Sequence, residues 1–159
     1  MAWTNPKTDW ADGDLVSASD MNAVGENLMA LRQPSKSVAV HSTSVGYSRG
    51  ASHEFTDVSS DNLNLAMTTA GGDVLVHFHG TMGMGQLTSV ALDIEVDGSR
   101  LGGSSGILVC SPRYSTAWPV SLTRLIQNLN AGSHTFKLQW KSNDVVRLGA
   151  GAHFLLREI

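Results

Sequence analysis

From residue 37 to the end of the chain, apolar side chains recur at every second position in short runs. That period is the strongest constraint on the fold, because a strand turns alternate residues to opposite faces whereas a helix groups every third or fourth. The clearest run is Val90, Leu92, Ile94 and Val96, alternating with Ala91, Asp93, Glu95 and Asp97. Val74, Val76 and Phe78 share one parity, and Leu75, His77 and His79 share the other. Phe136, Leu138 and Trp140 alternate with Thr135, Lys137, Gln139 and Lys141. Shorter candidates are Val38 with Val40, Leu63 to Thr69, Ile107 to Cys110, Val120 to Leu125, Val145 to Leu148, and His153 to Ile159. Gly, Ser, Asn and Asp separate these runs, and Asp97-Gly98 carries the composition of a tight hairpin turn. About eight short strands with no helical pattern between them predict an antiparallel sandwich or jelly roll, not a parallel α/β sheet.

Before Pro34 the pattern is different. Trp3 and Trp10 flank Pro6, and Asp12-Gly13-Asp14 reads as a turn. Ser17 with Asp20 three positions later gives a weak capping box. A helix is expected from about Ala18 to about Arg32. Its apolar positions Met21, Val24, Leu28 and Leu31 are spaced three, four and three, as in a coiled-coil seam. A helix this short is marginal alone, and Gly25 costs it about 1 kcal/mol more. The stripe therefore needs a partner: its own domain, copies of itself, or another protein. The two leader tryptophans favour an external one. The expected organisation is an extended arm and one helix over residues 1–34, then a β head over residues 35–159.

Charged residues make up 16% of the 159, below the roughly 25% usual in soluble domains. The formal charge is −3, and the 11 Lys and Arg residues form no block, so nucleic acid and anionic membranes are not expected partners. No run approaches the roughly 18 apolar residues of a spanning helix. One cysteine, Cys110, excludes an internal disulfide and any multi-cysteine metal site, and reads as a small buried hydrophobe. The N-terminal residues lack the basic and apolar regions of a secretory signal.

Each chemical motif has a plainer structural reading. Gly102-Gly103-Ser104-Ser105-Gly106 matches G-x-S-x-G, but a strand-like segment follows the serine where a nucleophile elbow needs a helix. A hairpin loop explains it better. His77 and His79 share a strand face and would need a third ligand from elsewhere, so they read as polar residues on a wet or interfacial face. Asp93, Glu95 and Asp97 read as solvated charge on an outer face. Gly80 to Gln86 reads as a flexible loop with adaptable methionines, or as a long hairpin tip. No metal, cofactor or catalytic set is expected. Trp118, Tyr114 and Tyr47 are the aromatic residues available to stack on a sugar if the head is a carbohydrate-binding module.

The segment Trp10-Ala11-Asp12-Gly13-Asp14-Leu15-Val16-Ser17-Ala18-Ser19-Asp20-Met21-Asn22 resembles the W-x-D-G-D-x-V-T-A-x-D-L-N leader of tailed-bacteriophage tail fibres, tail-tip proteins and head fibres. Ser17 and Met21 replace the commoner Thr and Leu and keep the capping hydroxyl and the apolar seam. The stretch from Leu129 to Trp140, with Phe154 to Ile159, is similar to the last strands of globular heads on phage fibres, which resemble trimeric jelly rolls of the tumour-necrosis-factor and complement-head kind. The resemblance implies a non-enzymatic virion protein, made in the host cytoplasm and displayed on the particle surface. It implies a homotrimer anchored to capsid or tail proteins through Trp3, Trp10, Asp12 and Asp14, with Met21, Val24, Leu28 and Leu31 lining the three-chain seam. Two roles follow: capsid decoration or head fibre, favoured by the lack of a shaft, and a tail receptor-binding protein contacting a host-surface glycan.

Overall fold

The computed structural model describes residues 19, 21–24, 38–84, 89–111 and 117–159. The chain divides into Met1–Ser35 and Lys36–Ile159. In the first unit, residues 19 and 21–24 are helical, within the expected helix. The second unit is a sandwich of two antiparallel six-stranded sheets.

Twelve strands build it: β1 (Val38–Ser42), β2 (Tyr47–Arg49), β3 (Ser52–Asp57), β4 (Asn64–Thr69), β5 (Gly72–Met84), β6 (Val90–Val96), β7 (Ser99–Arg100), β8 (Leu108–Cys110), β9 (Trp118–Leu129), β10 (Gly132–Ser142), β11 (Val146–Leu148) and β12 (His153–Glu158). The first sheet runs β1-β12-β5-β11-β2, with β9 on β5. The second runs β3-β10-β6-β7, with β4 on β10 and β8 on β6. Between them lies one core: Val74, Val76, Phe78, Phe154 and Leu156 from the first sheet against Leu92, Ile94, Phe136, Leu138 and Trp140 from the second. These are the residues whose alternation marked the strands, so the period-2 pattern has become the buried face.

Three expectations change. Gly80 to Met84 is the end of the 13-residue strand β5, not a loop, and Met82 is buried in the core. Gly80 belongs there for packing: a Cβ would stand 3.0 Å from both Ala152 Cβ and Leu148 Cδ1 and 3.2 Å from Phe78 Cζ. The glycine makes room for its neighbours instead of breaking the strand.

The Gly102–Gly106 segment is not a hairpin tip. β7 and β8 both pair with β6, Arg100 opposite Glu95 and Leu108 opposite Leu92, so residues 101–107 bulge out of one interrupted strand. β8, not a helix, follows Ser104, and the strand–turn–helix of a nucleophile elbow is missing at this serine.

Asp93 is the third correction. It is fully buried, not solvated, because the 101–107 excursion folds over it. Its Oδ1 accepts the N–H groups of Ile94 (2.8 Å) and Gly102 (2.9 Å), and its Oδ2 lies 3.4 Å from Arg100 Nη1.

Asp97 and Gly98 form the expected hairpin turn, with φ of 49° and 83° as a type I′ turn requires. The Asp97 carboxylate accepts the Thr135 N–H (2.8 Å) and meets His134 Nδ1 at 2.6 Å. His134 Nε2 faces the Asn130 carbonyl at 2.8 Å, so only the doubly protonated ring donates at both nitrogens. The hydrogen bond to Asp97, and then that to Asn130, raises the His134 pKa above its ordinary value. The bonds from His134 and Thr135 hold Asp97 below the usual carboxylate range. The histidine's contribution to stability is complete below about pH 6.5 and is lost as pH rises through its raised pKa. The aspartate's is complete above about pH 4 and is lost as pH falls through its lowered pKa. The stability difference between the wild-type chain and His134→Ala should therefore plateau between those limits and shrink on both sides. Urea titrations across pH 3 to 9 check this, and a difference independent of pH would remove the ion pair.

Candidate assembly face

The outward face of the first sheet is an ordered grid. Cross-strand pairing through β1, β12, β5 and β9 sets three rows: Ser42–His153–His79–Ser121, Val40–Leu155–His77–Thr123, and Val38–Arg157–Leu75–Leu125. Five of the twelve side chains are aliphatic, three are imidazoles, and Arg157 is the one carrying a fixed charge. No carboxylate stands in the grid. Val38 and Val40 are 55% and 54% exposed and Leu125 is 40% exposed. β1 turns its valines outward and its smaller or polar residues Ala39 and His41 inward, the reverse of what a sheet facing only water needs.

The imidazoles gather at one corner. His79 and His153 are directly opposed, with ring planes 5° apart and centroids at 4.8 Å. His77 follows at 6.3 Å from His79, and its Nδ1 is 2.8 Å from Thr123 Oγ1. The rings stack instead of converging on a point. Among the described residues no group of three or more His, Cys, Asp or Glu side chains is arranged to hold a metal ion. The sequence paired His77 with His79, but the part of His153 depended on register. Leu75, Leu125 and Leu155, aliphatic residues on the outward parity, were the signal that this face is not simply wet.

Other residues singled out above fall as follows. Trp3, Trp10, Asp12, Asp14, Leu28, Leu31 and Tyr114 lie outside the described residues. Met21 and Val24 are exposed, at 62% and 45%. Trp118 opens β9, is half-buried and packs on the core, and hydrogen-bonds Cys110. Burial pushes the Cys110 thiol up, and that bond opposes the shift. Tyr47, on β2, is half-buried, packs on the core, and its hydroxyl has no partner among the described residues. It lines a cleft of about 430 Å³ with Thr81, Ala117, Arg147 and Leu148. Among the described residues no helix is long and apolar enough to cross a membrane.

No protein-family model matches the chain, and no curated protein does. Among solved structures it is similar to the Eiger TNF from S. frugiperda, at TM-score 0.48 and 14% identity over 79% of this chain and 94% of that one. It is also similar to infectious bursal disease virus VP2 in a subviral particle, at TM-score 0.45 and 7% identity, covering 78% of this chain and 34% of that one. Latent PorU from Porphyromonas gingivalis matches at TM-score 0.38 and 7% identity, covering 76% of this chain and 12% of that one. The chain thus spans about a third of the viral protein and about an eighth of PorU.

Proposed function

We propose that this chain is a non-enzymatic structural protein of a tailed-bacteriophage virion, a homotrimer that decorates the capsid or forms a head fibre, anchored through residues 1–34. The observation that carries the virion reading is the Trp10–Asn22 leader. The outward grid of the first sheet supports self-association and adds a second place where copies meet. Its aliphatic residues contribute up to about 1.5–3 kcal/mol each when fully buried, and the one fixed charge, Arg157, lies in the outermost row, where its long side chain keeps the guanidinium in water. Burial, not chemistry, is the mechanism, and engagement of a repeated lattice by three chains multiplies weak contacts. A tail receptor-binding role is the second reading, favoured by Tyr47 in its cleft.

Light scattering on the full chain tests the oligomer, and incorporation into particles tests the anchor. Val40→Asp with Leu155→Asp should reduce a trimer to smaller species at micromolar concentration, and Leu28→Asp should do so through the helix. Both variants should keep the wild-type far-ultraviolet spectrum. A wild-type chain that is monomeric and absent from purified particles would overturn the reading.

A further inference from the structure

The opposite face of the sandwich carries a feature that assembly does not use. On the second sheet, Phe55 of β3 stands beside Lys141 of β10 and Arg100 of β7. The Arg100 guanidinium carbon is 4.5 Å, and Lys141 Nζ 4.7 Å, from the centre of the same ring. Both cations also donate to consecutive carbonyls of the excursion: Arg100 to Gly103 O at 2.6 Å, Lys141 to Ser104 O. One ring and two neighbouring carbonyls therefore collect two positive charges, which repel each other. Among the described residues the one carboxylate paired to either cation is Asp93, which is buried beneath Arg100 with its Oδ1 committed to two backbone N–H groups. Among the described residues Lys141 has no carboxylate partner. Glu54 lines the same cleft without pairing to either cation.

The cleft is also rigidly built. Gly106 packs on the ring so closely that a Cβ there would stand 2.8 Å from Phe55 Cζ and 2.7 Å from Leu92 O. Asp93 clamps the start of the excursion through Gly102 N. His53, Glu54, Phe55, Arg100, Ser104 and Lys141 line an open cleft of about 440 Å³, within the range of small-molecule sites.

We infer that this cleft binds a carboxylated sugar residue, of the uronic or sialic acid kind. A carboxylate answers the two under-compensated cations, with Arg100 held ready to donate. Sugar hydroxyls donate to Glu54 and exchange hydrogen bonds with Ser104 and His53. The exposed rim of Phe55 offers apolar contact to ring C–H groups. Glu54 selects against the alternatives: it repels a sulfate, which brings charge but no hydroxyl donor, and a neutral sugar leaves the cations as they are. The inference goes beyond the virion reading and does not depend on the oligomer.

Calorimetry on the full chain with oligogalacturonate, with N-acetylneuraminic acid, and with neutral galacto-oligosaccharide tests it. One of the two acidic probes should bind and the neutral one should not. Arg100→Gln and Lys141→Met should each weaken binding by about tenfold or more, the worth of one charge-assisted hydrogen bond. Lys141→Met should leave the urea midpoint and the oligomeric state near wild type; Arg100→Gln also removes the counter-ion of buried Asp93, so its midpoint should fall while its far-ultraviolet spectrum and oligomeric state stay as in the wild type. Binding of neither acidic probe, equal competition by inorganic sulfate, or affinity unchanged in both variants would each overturn the proposal. Loss of trimer in Val40→Asp with sugar binding intact would separate this site from the assembly face.

Discussion

Phe78→Ala should lower the unfolding free energy by about 3–5 kcal/mol, read as a fall of roughly 2 M in the urea midpoint at unchanged slope. Phe78 sits in the middle of β5, opposite Phe154 on β12 and Leu122 on β9, and all three are buried. Its ring reaches over Gly80, whose absent Cβ would be 3.2 Å from Phe78 Cζ. Alanine at 78 therefore opens a hole that Phe154, fixed in its own strand, does not fill. Gly80→Ala alone should cost about 1–3 kcal/mol by overpacking against Ala152 and Leu148. In the double variant the added methyl enters the space that Phe78 leaves, so the combined loss should be smaller than the sum. A loss below 1 kcal/mol for Phe78→Ala would mean that the two sheets do not pack through this residue.

That glycine also shows where sequence reading stops. Alternation located the core strands, because a half-buried strand writes its burial directly into parity: Val90, Leu92, Ile94 and Val96 all ended inside. Glycine does not write its reason. In Gly80-Thr81-Met82-Gly83-Met84 the residue that signals a loop is there to let Ala152 and Leu148 approach, and those partners lie about 70 residues away. Asp93 was misjudged for a related reason. Its parity correctly put it on the outward face of β6, but whether an outward face is wet depends on what else folds over it. Only the pairing of β7 and β8 along the same edge of β6 reveals the covering excursion. The candidate assembly face was half legible. Period two put His77 and His79 together, and register alone brought His153, Val40 and Leu125 alongside them. The sugar cleft was not legible at all, since Phe55, Arg100 and Lys141 come from three strands with no common motif.

The second large effect belongs to that covered aspartate. Asp93→Ala should destabilise the head by about 2–4 kcal/mol, and the source of the loss matters. It is not chiefly the ion pair: Arg100 keeps 34% of its side chain exposed and its charge turns to water when the partner goes. The cost comes from the N–H groups of Ile94 and Gly102, which lose their acceptor under a lid that excludes solvent, at about 1–3 kcal/mol for each unsatisfied donor. Asp93→Asn should therefore be much milder, because its amide oxygen still accepts both bonds while the charge is gone. Hydrogen exchange discriminates the two accounts. In Asp93→Ala the Gly102 and Ile94 amides should lose protection, and in Asp93→Asn they should keep it. Equal destabilisation by both variants would assign the energy to the carboxylate's charge, and the excursion would then be held by Arg100 instead of by its own backbone. Both variants remove the Oδ2 partner of Arg100, but only the alanine also frees the excursion whose Gly103 carbonyl holds Arg100, so the alanine variant should bind acidic sugar more weakly than the asparagine variant. The clamp that holds the fold's covering segment is then the same one that orders the cleft.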